Sequence, residues 1–146
     1  MNFEFSDEQN MLREQAQSFL KAECPPQAVR TVLDGDAAFD QRLWQKVVDM
    51  GWTATVIPEE YDGLGLSYLE LSVIAEELGR CLAPLPFSSS VYLATEAILA
   101  AGTDAQKAAW LPKLASGAVI GCLADSEANG HLTAAKLTTR YAQGAI

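Results

Sequence analysis

The chain has 146 residues, 49% of them hydrophobic, enough for one domain with a real core, or for one domain and the start of another. Nineteen acidic residues against ten basic ones give a net charge of −9, which argues against a nucleic-acid partner because nothing here neutralises a phosphate backbone. Three widely spaced cysteines (Cys24, Cys81, Cys122) and a single histidine point away from a disulfide frame or a metal centre and towards reduced, cytosolic thiols.

The opening MNFEFSDEQN is acidic and polar, with neither the apolar core of a signal peptide nor an Arg-rich transit pattern, so a cytoplasmic setting is expected. No apolar run reaches the ~18 residues of a membrane span. Ser6 and Gln9 form a capping box, with Asp7 and Glu8 in the first turn where the helix dipole favours them. Leu12, Ala16, Phe19 and Leu20 form the apolar stripe of this first helix, and Pro25-Pro26 ends it. A shorter amphipathic piece carries Val29, Val32 and Leu33 on one side, before the turn Asp34-Gly35-Asp36. Asp40 caps the next helix, with Phe39 and Trp44 as its staple and Leu43, Val47 and Met50 in line; Gly51 closes it.

A turn-rich connector, Gly51 to Leu66, alternates weakly and breaks at Pro58 and at Asp62-Gly63. Ser67 with Glu70 then opens the best-marked helix, stapled by Leu66 and Leu71. Its buried stripe is Leu71, Ile74, Ala75 and Leu78, and Gly79 suits the left-handed position past its end. Pro84 and Pro86 impose an extended segment. The helix from about Ser89 to Ala101 is apolar on every side with Glu96 its only charge, so it is buried all round or faces a ligand cavity. Thr103 and Gln106 cap a helix carrying Ala109, Trp110 and Leu114, which Pro112 should kink or whose end it should shift. From Ala118 to Ala124 a continuous apolar run reads as a buried strand, and alternation through Ala135, Leu137, Thr139 and Tyr141 reads as a half-buried one. Two strands make at best a marginal hairpin, so an unfinished sheet is expected.

Spacing alone assigns no active site. Glu59 and Glu60 read as a solvated loop, Gly63-Leu64-Gly65 as a plain turn rather than an anion cradle, and His131 as exposed. Glu76 and Glu77 fall off the buried stripe and read as surface residues. Glu96 has two readings: a desolvated base near neutrality, or a carboxylate that reaches solvent or pairs with a cation.

IPEEYDGLG, ELGR, the run from Ala83 through Phe87 and the later QKAAWLPKLASG resemble the amino-terminal half of the flavin-dependent acyl-CoA dehydrogenases. The resemblance runs from about Phe3 to Glu127, in a chain well under half the family's usual length. It implies a mainly α fold: a helical amino-terminal domain over residues 1–117, followed by the first strands of a truncated β-domain over 118–146. It also implies part of an enzyme that desaturates an acyl-CoA thioester, a carboxylate taking the α-proton and FAD the hydride. By position, Ser89, Tyr92, Leu93 and Glu96 would line the acyl groove, and Leu123, Asp125 and Ser126 would meet the flavin. Ala128 stands where the family has proline, and Asn129-Gly130-His131 where it has a Gly-Ser-Asp type loop. No catalytic base is assigned, because the family's usual position for it lies in a part not present here. The implied partners are acyl-CoA and an oligomer, with copies of itself or with a related chain. The alternative is a non-catalytic helical partner of a fuller dehydrogenase chain. FAD is expected not to stay on these 146 residues alone. Related flavin oxidases and monooxygenases share the same amino-terminal architecture.

Overall fold

A computed structural model describes residues 4–124 together with 127, 138 and 139. Among these, α1 (Asp7–Glu23), α2 (Pro26–Leu33), α3 (Gln41–Asp49), α4 (Tyr68–Arg80), α5 (Glu96–Ala101) and α6 (Asp104–Ala115) are joined by short turns, and a π-helix, Ser88–Thr95, runs directly into α5. The three capping boxes and the Asp40 cap form as the sequence directs. At the start of α4 the Ser67 hydroxyl accepts from the Leu69 amide at 3.1 Å, while Glu70 accepts from the Ser67 amide at 2.9 Å. Phe39 meets Trp44 edge to face, at 6.5 Å between ring centroids.

The principal packing is α1 against α4. Gln9 donates to Glu70 at 2.8 Å, Arg13 to Glu76 at 3.1 Å and Gln17 to Glu77 at 3.0 Å. These pairs follow the same order along both helices, so α1 and α4 run side by side in one direction. Between them and α3 lies the main core, with Ala16, Leu20, Leu43, Val47, Trp52 and Ile74 at its centre. A second, smaller core joins Ala54 and Ile57 of the connector to Leu111, Leu114 and Ala115 of α6.

The connector is more ordered than its weak alternation suggests. Residues 52–57 are all buried, and Thr53 donates its hydroxyl to the Ala115 carbonyl at 2.7 Å, tying the connector to the end of α6. Leu64, Gly65 and Leu66 donate back to Ala54, Ile57 and Thr55 at 2.8–2.9 Å. Gly63 permits that fold, since a Cβ there would sit 1.9 Å from the Ile57 carbonyl oxygen.

Several sequence expectations are corrected. Leu33 is 77% exposed rather than part of the apolar side of α2. The helix α4 does not stop at Gly79: it continues to Arg80, Cys81 is its cap, and Leu82 takes the left-handed conformation at φ 53°. Leu82 and Ala83 donate to the Gly79 and Leu78 carbonyls, the two bonds of a Schellman ending. Glu77 is not a surface residue: it is 2% exposed, turned onto α1 where Gln17, Arg80 and Arg13 surround it. Pro112 does not end α6, which continues to Ala115; Ala108, whose carbonyl an amide at position 112 would otherwise meet, is exposed. Residues 120–124 form no helix or ladder with other described residues, and of the second expected strand only Thr138 and Thr139 are described.

Candidate functional site

The helix expected to border a ligand is the one with irregular geometry. Its first half, Ser88–Thr95, is a π-helix, a form that widens the backbone turn and recurs at functional positions. Within it the Thr95 hydroxyl donates to the Ser90 carbonyl, five residues back, at 2.9 Å. Ser90, Val91, Ala94 and Thr95 form the buried face. The Ser90 hydroxyl also accepts from the Gly121 amide at 3.2 Å, which holds the run 121–124 against this helix. Only glycine fits there, because a Cβ at Gly121 would lie 2.5 Å from that of Ala94.

The four residues assigned to the acyl groove have separate immediate contacts. Ser89 donates its hydroxyl to the Pro86 carbonyl at 3.0 Å, closing the entrance of the helix. Tyr92 packs edge to face on Phe87, 5.3 Å between centroids, and lines a small hollow of about 210 Å³ beside Leu78 and Leu85. Its burial pushes the phenol up to about 12. Leu93 lies on the outer face, 43% exposed. Glu96 accepts from the Tyr68 hydroxyl at 2.8 Å, and this bond to the carboxylate, with some burial, raises the Tyr68 phenol. Its second oxygen, Oε1, is buried with no hydrogen-bond partner among the described residues. Of the two readings of Glu96, the partner is thus a tyrosine hydroxyl rather than a lysine or arginine. The sequence carried no signal for Tyr68, twenty-eight residues away.

Of the residues expected to meet the flavin, Leu123 is described, while Asp125 and Ser126 lie outside the described residues, as does His131. Leu123 is exposed at the edge of an apolar hollow of about 240 Å³ shared with Ala94, Ile98, Trp110 and Leu114. This arrangement suits one edge of a flat ring system and encloses none of it, so the residues present fit FAD as a border, not as a binding site by themselves. Beyond it, the Glu127 carboxylate accepts from the Thr138 and Thr139 amides at 2.9 and 2.6 Å and from both hydroxyls, bonds that hold it down to about 2.

The remaining candidates resolve simply. Glu59 and Glu60 are exposed at the start of a 3₁₀ turn. The amides of Gly63, Leu64 and Gly65 are all given to backbone carbonyls, so this turn has no donors left for an anion. Among the described residues there is no group of metal-ligating side chains, and no helix is long and apolar enough to cross a membrane.

Comparison with known proteins agrees with this architecture. The family profile described as acyl-CoA dehydrogenase, N-terminal domain, matches residues 6–118. The acyl-CoA dehydrogenase IpdE2 of Mycobacterium tuberculosis is 36% identical over 118 residues, covering 80% of this chain and 36% of that protein. The ChsE4-ChsE5 complex from Mycobacterium tuberculosis superposes with a TM-score of 0.74 at 29% identity, over 82% of this chain and 33% of that one. An acyl-CoA dehydrogenase complexed with FAD from Bacillus anthracis superposes with a TM-score of 0.70 at 28% identity, over 80% of this chain and 20% of that one. The chain therefore spans about a third or less of the length of these relatives. FAD is the cofactor with which such a relative has been seen. On the match of its helical region, this chain belongs to the acyl-CoA dehydrogenase family and carries the family's amino-terminal domain.

Proposed function

We propose that these residues serve a flavin-dependent acyl-CoA dehydrogenase, forming one wall of the acyl groove and one edge of the flavin site. The observation that carries this reading is the join between the π-helix Ser88–Thr95 and the run 121–124, made by Ser90 and Gly121. The join sets the proposed groove helix and the flavin-facing Leu123 in fixed relation, and desaturation needs that relation because acyl chain and flavin must meet at a set distance. The flavin, when bound, accepts the hydride; this chain's part is to position and to exclude water. Leu93 and Tyr92 border the acyl chain, Glu96 with Tyr68 offers it a polar contact, Ser89 fixes the helix entrance, and Leu123, Asp125 and Ser126 border the ring. Residues 1–117 act as the helical domain and 118–146 as the opening of a β-domain.

The proposed setting is cytoplasmic, supported by the three unbridged cysteines. The proposed assembly is an oligomer with copies of itself or with a related chain. The second arrangement has specific support in a neighbour described as a complex of two chains, ChsE4 and ChsE5, which also keeps open a helical partner role without chemistry of its own.

The test is made in a complete dehydrogenase carrying this segment. Leu93→Ala should shift the preferred acyl-chain length while leaving turnover on the best substrate within about threefold. Equal losses on a panel of acyl-CoAs of every length would place Leu93 in packing and remove it from the groove.

A further inference from the structure

Two of the three cysteines meet at one place. α1 and α4 run in the same direction, and their matching pairs, from Gln9–Glu70 to Gln17–Glu77, lead to adjacent C-terminal ends. Cys24 is the cap residue of α1 and Cys81 the cap residue of α4. Both side chains pack in the main core cluster and both line the same groove, of about 720 Å³, whose apolar wall includes Leu20, Pro26 and Val29. Cys24 is buried and Cys81 half-buried, so the groove reaches Cys81 first. Around the groove stand Lys21, Arg30 and Asp34, with Arg80 paired to Glu76 and Glu77 at 2.8 and 3.1 Å.

We infer that Cys24 and Cys81 are a dithiol pair, closed to a reversible disulfide between the ends of α1 and α4 by a low-molecular-weight disulfide. In the first exchange the Cys81 sulfur, having given up its proton, attacks the small disulfide; the bond in the oxidant breaks and one small thiol leaves carrying a proton. In the second, the Cys24 sulfur attacks Cys81, expels the second small thiol and leaves the Cys24–Cys81 bond. Two protein thiols are oxidised and one small disulfide is reduced to two thiols, which take up both protons. Burial, with the Cys81 thiol and Asp40 beside it, pushes the Cys24 thiol up to about 12. The second exchange is accordingly the slow one. Oxidised glutathione is such a disulfide.

The experiment uses the 146-residue chain with Cys122→Ser, which removes the exposed thiol that would otherwise react alone. Prolonged incubation with oxidised glutathione should end in the loss of two hydrogen atoms, with no glutathione retained, and in a cross-linked peptide joining Cys24 to Cys81. The unfolding midpoint should rise by about 5–10 °C, because the bond closes a long loop in the unfolded chain, and dithiothreitol should reverse it. Adding Cys81→Ser, a change at the half-buried position, should abolish both the mass loss and the shift. A glutathione adduct that persists on Cys81 while Cys24 stays free, or no reaction over days, would overturn the pair.

Discussion

Glu76 and Glu77 are neighbours in sequence with opposite fates. Glu76 is exposed and bridged to Arg13 and Arg80 at 3.1 and 2.8 Å, geometry that in water is worth about 0–1 kcal/mol. Glu77 is buried, and its removal would leave the Gln17 amide and the Arg80 Nε–H without their acceptor. Glu77→Ala should therefore cost about 3 kcal/mol in urea unfolding, and Glu76→Ala less than about 1 kcal/mol. Equal costs would mean that Glu77 is solvated in solution. Glu70 shows a different effect of environment. Bonds from Ser67 and Gln9 depress its carboxyl from the ordinary 4.5 to about 2. A depressed value in the folded state makes its stabilisation complete above pH 4.5 and lost as the pH falls from there towards 2. Glu70→Gln should flatten the dependence of stability on pH in that window, and leave it unchanged between about pH 6 and 8. A wild-type acid profile in the variant would show the bonds to be absent.

At the scale of elements, the end of α4 is where local preference and structure disagree. Gly79 sits inside the helix, where a Cβ would meet nothing within 4 Å, while Leu82 occupies the left-handed position that glycine favours. Each choice costs stability: glycine in a helix interior by about 1 kcal/mol, a leucine at positive φ by about 1–2 kcal/mol. Gly79→Ala and Leu82→Gly should each raise stability by about 1 kcal/mol, and the pair should add if they act independently, read from denaturant midpoints. No gain from Leu82→Gly would indicate that its exposed side chain offsets the strain through a contact. The sequence marked the start of every capped helix because a cap is a contact over three residues. The end of α4 was not legible in the same way. The helix runs on through Arg80 to its cap Cys81, and the Schellman bonds then place whichever residue follows, here leucine, in the left-handed region.

For the whole molecule, the described residues present edges rather than enclosures. Leu123 borders a hollow of about 240 Å³ and Leu93 lies on an outer face. A flavin needs burial from several sides, so the isolated 146 residues should carry no flavin absorbance after purification and reduce no dye with acyl-CoAs. A stoichiometric flavin band would show that this chain encloses more of the ring than its described residues do.

Local chemistry in the sequence determined the helical class, the caps at Ser6, Asp40, Ser67 and Thr103, the stripe of α1 and the apolar segment after Ser88 as a helix, since each rests on residues a few positions apart. The family, too, was legible, in the connector IPEEYDGLG and the run after Ala83. Tertiary structure decided the rest. It buried Glu77 against Gln17, brought Tyr68 to Glu96, clasped Gly121 with Ser90 and set Cys24 beside Cys81. Every one of these joins residues at least twenty-eight positions apart. Such contacts have no periodic signature in the chain; they follow from which helix faces which, and in what direction the helices run.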